Sequence, residues 1–146
     1  MTATAVLRQA RRDDLAAIWR VRYSVHENKL TSRVTDEDVL TQIETTGRGW
    51  VIEAAGVVVA FAIGVRTDGN VSALFVDPAH ERRGFGRRLH DTMVAWLWAQ
   101  GLPRLWLTTG PGTRAQRFYQ AAGWRAVGTT QHGEIRFELQ RPEAAA

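Results

Sequence analysis

The residues best suited to chemistry lie in Val76–His90, VDPAHERRGFGRRLH, where Gly84 and Gly86 stand at the start of a helical pattern. Four arginines border these glycines: Arg82, Arg83, Arg87 and Arg88. A strand, a tight glycine loop and a helix in this order present unpaired backbone N–H groups at a helix N-terminus, where the helix dipole favours an anion. Guanidinium groups match the charge and geometry of phosphate oxygens. The stretch predicts a phosphate site, although a lone Gly-x-Gly would more often be only a tight turn with solvated arginines.

Two common nucleotide-binding patterns do not fit these residues. A Walker loop needs Gly-Lys followed by Ser or Thr, but Gly86 is followed by Arg87 and Arg88. The dinucleotide fingerprint has a third glycine, whereas position 89 is Leu. That fingerprint also opens an N-terminal β-α-β unit, and this loop lies past the midpoint of the chain.

The overall charge favours a local anion site over a nucleic-acid partner. The chain carries 19 Lys and Arg against 15 Asp and Glu, a net charge of +4, and the acids are spread along it. Only Phe85 is interleaved with the basic cluster, whereas single-strand binders combine basic grooves with stacking aromatic residues. A nucleic-acid binder using Arg82–Arg88 is an alternative interpretation of the stretch. It predicts an affinity for nucleic acid that falls steeply as the salt concentration rises.

Composition also limits the chemistry and the location. The chain has no cysteine, which excludes a thiolate nucleophile, a disulfide and a cysteine metal site, and we expect no metal. No apolar run approaches the ~18 residues of a membrane span, and the first residues lack the apolar core of a secretory signal. We therefore expect a soluble cytoplasmic protein without a membrane partner.

The chain has the length of one domain and shows no repeat, low-complexity tract or linker, so we expect a single domain over residues 1–146 with its core at about 4–140. Hydrophobic periodicity predicts that this domain is mixed α/β. The predicted order of elements is β-α-α-β-β-β-α-β-α-β-β. Runs rich in β-branched and apolar residues supply the strands, among them VSALFV and RLWLTT. Antiparallel strands at both ends and helical crossovers in the centre follow from this order.

Capping residues define four helices. The first is predicted over 13–30: it begins at two capping aspartates and places Leu15, Ile18, Trp19, Arg22 and Val25 along one face. Thr35 caps a short second helix, and 84–100 forms the third. The fourth begins with a predicted capping box made by Thr113 and Gln116.

A second motif lies about 30 residues after the glycine loop. It is the segment 112–124, GTRAQRFYQAAGW, which fits a second known sequence pattern, Asn-x-x-Ala-x-x-Phe-Tyr-x-x-x-Gly-Phe. The matching residues are Ala115, Phe118, Tyr119 and Gly123. The first stretch matches Gln/Arg-x-x-Gly-x-Gly/Ala at Gly84 and Gly86, and it is entered from Val76-Asp77-Pro78, which fits Val-x-Pro. With both motifs in register, the sequence resembles the GNAT superfamily of N-acetyltransferases over nearly its whole length. The resemblance implies a central mixed β-sheet flanked by about four helices, and acetyl-CoA as cosubstrate.

The resemblance also implies how acetyl-CoA is held. Backbone amides of the loop would bind its pyrophosphate: Arg82, Arg83, Gly84, Phe85, Gly86 and Arg87. The strand edge would pair with the pantetheine amides, as an added strand pairs with a sheet: Leu74, Phe75 and Val76. That strand and the one holding Leu107 would separate to admit the pantetheine arm, and Phe118 would pack nearby.

The implied reaction is direct transfer of the acetyl group to a primary amine in a ternary complex. Aminolysis of a thioester expels a thiolate, and Tyr119 is the implied general acid. A phenol with a pKa near ~10 stays protonated at neutral pH and can donate to the departing sulfur. Backbone N–H groups near Val76 would face the developing oxyanion.

Three positions depart from the family pattern. Glu81 stands where the family has Gln or Arg, Gly112 where the second motif begins with Asn, and Ser72 where several members carry a catalytic Glu. An acid near a pyrophosphate is unfavourable unless it points away or pairs with an arginine. Two histidines, His80 and His90, flank the loop, and we expect them to contact phosphate or water.

The general base is open. An alkylamine with a pKa near ~10.4 must lose a proton before or during attack. Glu53 is a candidate because it is a charge in an apolar run, and His26 because its unperturbed pKa suits the task. Glu27 and a water chain are the other candidates.

In this family the acceptor pocket is built largely from the first two helices and their connection. Arg22, Glu27 and Asn28 are the candidate acceptor-binding residues. A carboxylate-bearing acceptor would pair with Arg22 and a cationic one with Glu27. The expected partner is a small-molecule amine or a peptide amine, and the last strands are expected to support a homodimer.

The alternative function is a non-catalytic acyl-CoA-binding regulatory module. The absence of an acid at Ser72 and of an Asn at Gly112 favours it. The Phe118–Tyr119 pair argues against it, because a pure binder needs no phenol at the sulfur.

Overall fold

The computed structural model describes residues 5–25 and 34–142, which form a seven-stranded mixed sheet with helices on both faces. The strands are β1 Ala5–Gln9, β2 Gly47–Ala54, β3 Val57–Val65, β4 Asn70–Val76, β5 Arg104–Thr109, β6 Arg125–Thr129 and β7 Ile135–Gln140. The helices are α1 Leu15–Ser24, α2 Asp36–Thr41, α3 Phe85–Ala99 and α4 Arg114–Ala121. The predicted fold class and order of elements are confirmed.

The spatial order of the strands is β1-β2-β3-β4-β5-β7-β6. Neighbouring strands are antiparallel except β4 and β5, which are parallel and joined by the α3 crossover. β2 and β3 form a hairpin whose turn falls at Ala55 and Gly56, both with positive φ, 52° and 79°. The parallel pair therefore lies in the middle of the sheet.

Each face of the sheet has its own apolar layer. α3 places a row of residues four apart, Leu89, Met93 and Leu97, against one face, and all three are fully buried. α1 and α2 cover the other face with Ile18 and Val39 among others.

Helix α1 is shorter than predicted. It ends at Ser24, and Val25, the last residue of the predicted helical face, is extended with φ −90° and ψ 111°, whereas the predicted helix runs to residue 30. The Ser24 hydroxyl donates to the backbone oxygen of Val21 at 2.5 Å, a local bond that competes with helix continuation. Local hydrogen bonding thus ends a helix that periodicity alone would extend.

The predicted caps of α2 and α4 are largely confirmed. Thr35 and Asp38 make a reciprocal capping box on α2. On α4 the Thr113 hydroxyl accepts from the Gln116 N–H at 3.2 Å, but the Gln116 side chain accepts from the N–H of Gly112, one residue before the cap, at 2.6 Å. The box on α4 is therefore shifted by one residue. Within the described ranges, no helix has both the length and the apolar character required to cross a membrane.

Candidate functional site

A groove opens between the parallel strands β4 and β5. The two strands pair at a single position, Asn70 with Trp106, whereas β5 pairs with β7 on its other edge along its whole length. Asn70 secures this closed end by donating its side-chain amide to the backbone oxygen of Trp106 at 3.3 Å. The strands therefore separate toward their carboxyl ends, the edge at which parallel sheets bind ligands. The predicted separation of these strands is confirmed.

The loop after β4 leads into the N-terminus of α3. The side chain of Asp77 accepts from the Ala79 N–H at 3.0 Å, and Arg82 adopts a left-handed conformation with φ 63°. Gly84 is the N-cap of α3, with φ 78° and ψ 9°, and it has no side chain to accept from the first turn. The first N–H groups of a helix have no partner within the helix, so this glycine N-cap leaves them available to an anion.

Gly86 lies where α3, α4 and β4 approach one another. A Cβ at this position would lie 3.6 Å from the Phe118 ring and 3.7 Å from Val76, which is ordinary van der Waals contact. Phe118 thus packs beside the glycine loop, on the α3 and α4 side of the sheet. Packing within the chain would accept a methyl group here, so the glycine leaves room that the fold itself does not need.

Tyr119 lies within a cluster of aromatic rings between α3 and α4. It is 6% exposed, and its ring lies 5.2 Å from that of Phe118 and 5.5 Å from that of Trp124, both edge-on. Burial raises the pKa of Tyr119 above the ordinary value for a phenol. The phenol is therefore neutral across the physiological pH range and keeps a proton to donate.

His90 belongs to the same cluster, so the expectation that it contacts phosphate or water is wrong. It is 4% exposed, and its Nε2 accepts from the indole N–H of Trp124 at 2.9 Å. The spacing from the loop suggested exposure because the start of a helix is usually solvated. The inner face of α3 includes position 90, and Trp124, 34 residues away, supplies the partner.

Two departures from the family pattern have structural explanations. Glu81 forms an ion pair with Arg114 at 2.5 Å, which joins the loop before α3 to the first residue of α4. Its charge is thus compensated where an anion would bind. Gly112 has φ 74°, a left-handed conformation that suits glycine better than Asn, and its N–H is satisfied by the Gln116 side chain.

Thr109, at the open end of β5, was not recognised from the sequence. It is 5% exposed, and within the described ranges its hydroxyl is buried without a hydrogen-bond partner. Buried hydroxyls are normally paired, and an exception calls for an explanation. A ligand in the groove between β4 and β5 would supply one.

Comparison with known proteins accounts for this arrangement. The sequence model of the acetyltransferase (GNAT) family matches residues 9–124. The chain belongs to the GNAT acetyltransferase family. Among curated proteins no significant match was found.

Solved structures share the fold of this GNAT protein at low sequence identity. The ribosomal-protein-S18-alanine N-acetyltransferase from Escherichia coli is 21% identical with a TM-score of 0.78, and the match covers 97% of both chains. YncA, a putative acetyltransferase from Salmonella typhimurium with acetyl-CoA, is also 21% identical with a TM-score of 0.77, covering 97% of this chain and 96% of that one. PaiA N-acetyltransferase from Thermoplasma acidophilum, in complex with coenzyme A, is 12% identical with a TM-score of 0.79, covering 94% and 99%.

Glu53, a candidate base of this GNAT protein, lies away from the groove. It is on β2, two strands from β4, and its carboxylate accepts from Arg8 on β1 at 2.7 Å. Arg8 also binds Asp14, so its guanidinium bridges two carboxylates. These contacts give Glu53 a structural partner on the side opposite to the groove.

A cleft of about 490 Å³ lies on the α1 and α2 side of β4. Its described lining includes Arg22, Glu37, Gln42 and Ser72. Ser72 is the extra residue of a β-bulge, since Ile63 pairs with Ala73 and Gly64 with Val71. The Ser72 hydroxyl donates to the Gln42 side-chain oxygen at 2.7 Å, so this residue joins β4 to the segment after α2.

Of the predicted acceptor-binding residues, Arg22 lines this cleft. It is 9% exposed, and its guanidinium lies 5.2 Å from the centre of the Phe75 ring, on β4. His26, Glu27 and Asn28 lie outside the described residues. Within the described ranges, no cluster of three or more His, Asp or Glu side chains is arranged to hold a metal ion.

Proposed function

We propose that the protein transfers the acetyl group of acetyl-CoA to a primary amine by direct attack in a ternary complex, with Tyr119 as general acid. One observation carries this proposal: β4 and β5 pair at only one position, Asn70 with Trp106, and the helix that follows β4 begins at a glycine N-cap. A groove between two strands that leads to an anion site suits a long, phosphate-bearing thioester, and Tyr119, on the helix that follows β5, would supply the proton.

The anion end would be held mainly by main-chain groups. The amides concerned are those of Arg82, Arg83, Gly84, Phe85, Gly86 and Arg87. The side chain of Arg87 is turned to Asp91 at 3.1 Å, so its backbone is the better placed group. Amides at a helix N-terminus need no side-chain ordering to bind a pyrophosphate.

The arm end would be held by the edges of the groove. The exposed edge of β4, formed by Leu74, Phe75 and Val76, offers unpaired N–H and C=O groups to amides of an extended ligand. The Thr109 hydroxyl on the facing strand lacks a partner within the described ranges and is suited to bind the same arm. Phe118 and Val76 would supply apolar contact.

Acetyl-CoA supplies an acetyl group already activated as a thioester, so no covalent intermediate on the chain is needed. The Tyr119 hydroxyl would donate its proton to the leaving sulfur. Burial raises the pKa of Tyr119, so the phenol would stay protonated until negative charge develops on the departing sulfur. Backbone N–H groups near Val76 would stabilise negative charge on the carbonyl oxygen.

The acceptor amine would approach from the cleft beside Ser72. Its lining includes Arg22 and Glu37, which would suit an acceptor that carries both an anionic and a cationic group. The pairing of Glu53 with Arg8 favours His26, Glu27 or a water chain as the route for the amine proton. A homodimer in the cytoplasm completes the proposal; the fully exposed edge strand β6 is compatible with such an interface.

The test is calorimetric titration with acetyl-CoA, with CoA and with short DNA, followed by measurement of thiol release with a panel of amines. Micromolar binding of acetyl-CoA with amine-dependent thiol release supports the proposal. Binding without release from any amine would favour the regulatory module. Salt-sensitive DNA binding without CoA binding would refute the assigned site.

A further inference from the structure

His90 is a buried polar residue in an otherwise apolar aromatic cluster. It lies on α3 one turn after Gly86, and three rings surround its imidazole at centre distances of 5.7 Å for Phe118, 6.3 Å for Tyr119 and 6.2 Å for Trp124. A leucine at this position would fill the space and would need no hydrogen-bond partner. A buried histidine needs partners for both ring nitrogens.

Both nitrogens of His90 are used, and their roles follow from their partners. The indole N–H of Trp124 can only donate, so Nε2 of His90 accepts at 2.9 Å. The carboxylate of Asp91 can only accept, so Nδ1, 2.8 Å from its Oδ1, carries the proton. The neutral Nδ1–H tautomer is the form that satisfies both contacts.

The Trp124 ring held in this way rests against Tyr119. The two rings lie 5.5 Å apart at 71°, and the backbone N–H of Trp124 donates to the backbone oxygen of Tyr119 at 3.0 Å. The link from α3 to the end of α4 therefore runs through the imidazole and the indole. A shift of the Trp124 ring would remove one wall of the Tyr119 pocket.

We propose that His90 is a positioning residue: by accepting the Trp124 indole N–H, it fixes that ring against Tyr119 and thereby sets the direction of the Tyr119 hydroxyl. This inference rests on the proposed function, in which that hydroxyl meets the leaving sulfur. It assigns no contact between His90 and substrate.

Protonation of His90 would undo the arrangement, because Nε2 would then present a second N–H to the Trp124 N–H. The charged or titratable groups near the imidazole are Asp91 and Arg87 on α3 and Tyr119 on α4. Burial lowers the pKa of His90, and Asp91, which is largely exposed, opposes this only in part. The hydrogen bond to Trp124 is therefore retained at neutral pH and lost in acid.

The first test uses a resonance instead of activity. The chain has two tyrosines, and Tyr23 is 65% exposed, so ring-labelled tyrosine gives two signals that Tyr23→Phe assigns. His90→Leu and His90→Gln both remove the imidazole ring that lies 6.3 Å from Tyr119, so the difference between them reports the hydrogen bond to Trp124. We expect His90→Gln, whose side-chain oxygen can accept the indole N–H, to shift the Tyr119 signal much less than His90→Leu, and we expect Trp124→Phe to shift it as well. His132→Leu, a matched change at an exposed histidine, should shift neither signal.

The second test measures thiol release by the same variants. We expect kcat to fall on the order of 10- to 100-fold in His90→Leu, the range for a small misplacement of a catalytic group, with KM for acetyl-CoA within about twofold. His90→Gln should recover most of kcat and should lose activity in acid less steeply than the wild type, because the protonation of His90 no longer adds to that of the amine.

Three outcomes would overturn the inference. The first is a Tyr119 signal unmoved in both His90→Leu and Trp124→Phe. The second is a His90→Gln variant as impaired as His90→Leu, since packing and not the hydrogen bond would then matter. The third applies if His90→Leu does not fold, in which case acid titration of the wild type replaces that variant. A Tyr119 signal that does not change as His90 becomes protonated would then overturn the inference. A wild type that neither binds acetyl-CoA nor releases thiol would refute the proposed function, while the resonance test would still decide whether His90 positions Tyr119.

Discussion

Replacing Gly84 by alanine tests the main-chain anion site most directly. Gly84 has φ 78° and is the N-cap of α3, and a Cβ there would meet no atom within 4 Å. Crowding within the chain would therefore not oppose the substitution. The cost is conformational, about 1 kcal/mol for an L-residue in the left-handed region, and any relaxation of φ would turn the loop amides away from the anion.

Gly101 provides a matched control. It follows the other end of α3 with φ 87°, and a Cβ there also meets no atom within 4 Å. Gly101→Ala should lower the free energy of unfolding by the same ~1 kcal/mol without touching the anion site. The difference in binding between the two variants therefore isolates the loop.

The size of that difference follows from the hydrogen bonds lost. A hydrogen bond to a charged group contributes about 1.5–3 kcal/mol, so losing one amide contact should raise Kd for acetyl-CoA roughly 10- to 100-fold. Calorimetry measures Kd, and denaturant unfolding measures stability. The kcat/KM for S-acetyl-pantetheine, which lacks the pyrophosphate, should change little. Two results would refute the main-chain site. One is that Gly84→Ala binds acetyl-CoA as tightly as Gly101→Ala does, and the other is that Gly84→Ala loses kcat/KM equally with acetyl-CoA and with S-acetyl-pantetheine.

Three further predictions concern the groove and its surroundings. Tyr119→Phe should lower kcat by more than about tenfold, in the range for loss of a general acid, and leave Kd for acetyl-CoA within about twofold; equal loss of both would make Tyr119 a packing residue. Thr109→Val removes a hydroxyl that is buried without a partner in the described part of the chain. Denaturant unfolding should therefore show equal or greater stability, and calorimetry should show weaker binding of acetyl-CoA. Unchanged affinity would exclude Thr109 from the ligand site. The pKa of Asp14 is lowered chiefly by its hydrogen bond with Arg8. The ionised carboxylate therefore contributes fully to the free energy of unfolding above its unfolded-state pKa near ~4. This contribution is lost as the pH falls through the lower pKa of the folded state. Asp14→Asn should therefore be less stable than the wild type at pH 7, by roughly 1.5–3 kcal/mol, and the gap should close in acid; a gap independent of pH would contradict this.

Much of the fold was predictable because its signals are local. The period of the apolar residues distinguishes α3 from the strands around it, and Thr35 and Thr113 cap the helices that follow them. The end of α1 could not be predicted, because a hydroxyl bond from Ser24 outweighs an apolar spacing that continues beyond it. The shifted cap at Gly112 likewise depends on which of two adjacent N–H groups the Gln116 side chain reaches.

The sequence by itself determined the glycine loop, the helix behind it and the Phe118–Tyr119 pair, because each depends on residues within one turn or one strand. Only the tertiary structure decided which distant side chains meet these residues. Glu81 pairs with Arg114, 33 positions away, and His90 with Trp124, 34 positions away. Both contacts exist because β4 and β5 are parallel neighbours, so that the helix after each strand begins at the same edge of the sheet. Spacing along the chain carries no record of that adjacency, which is why a histidine expected to face solvent is found in the core beside Tyr119.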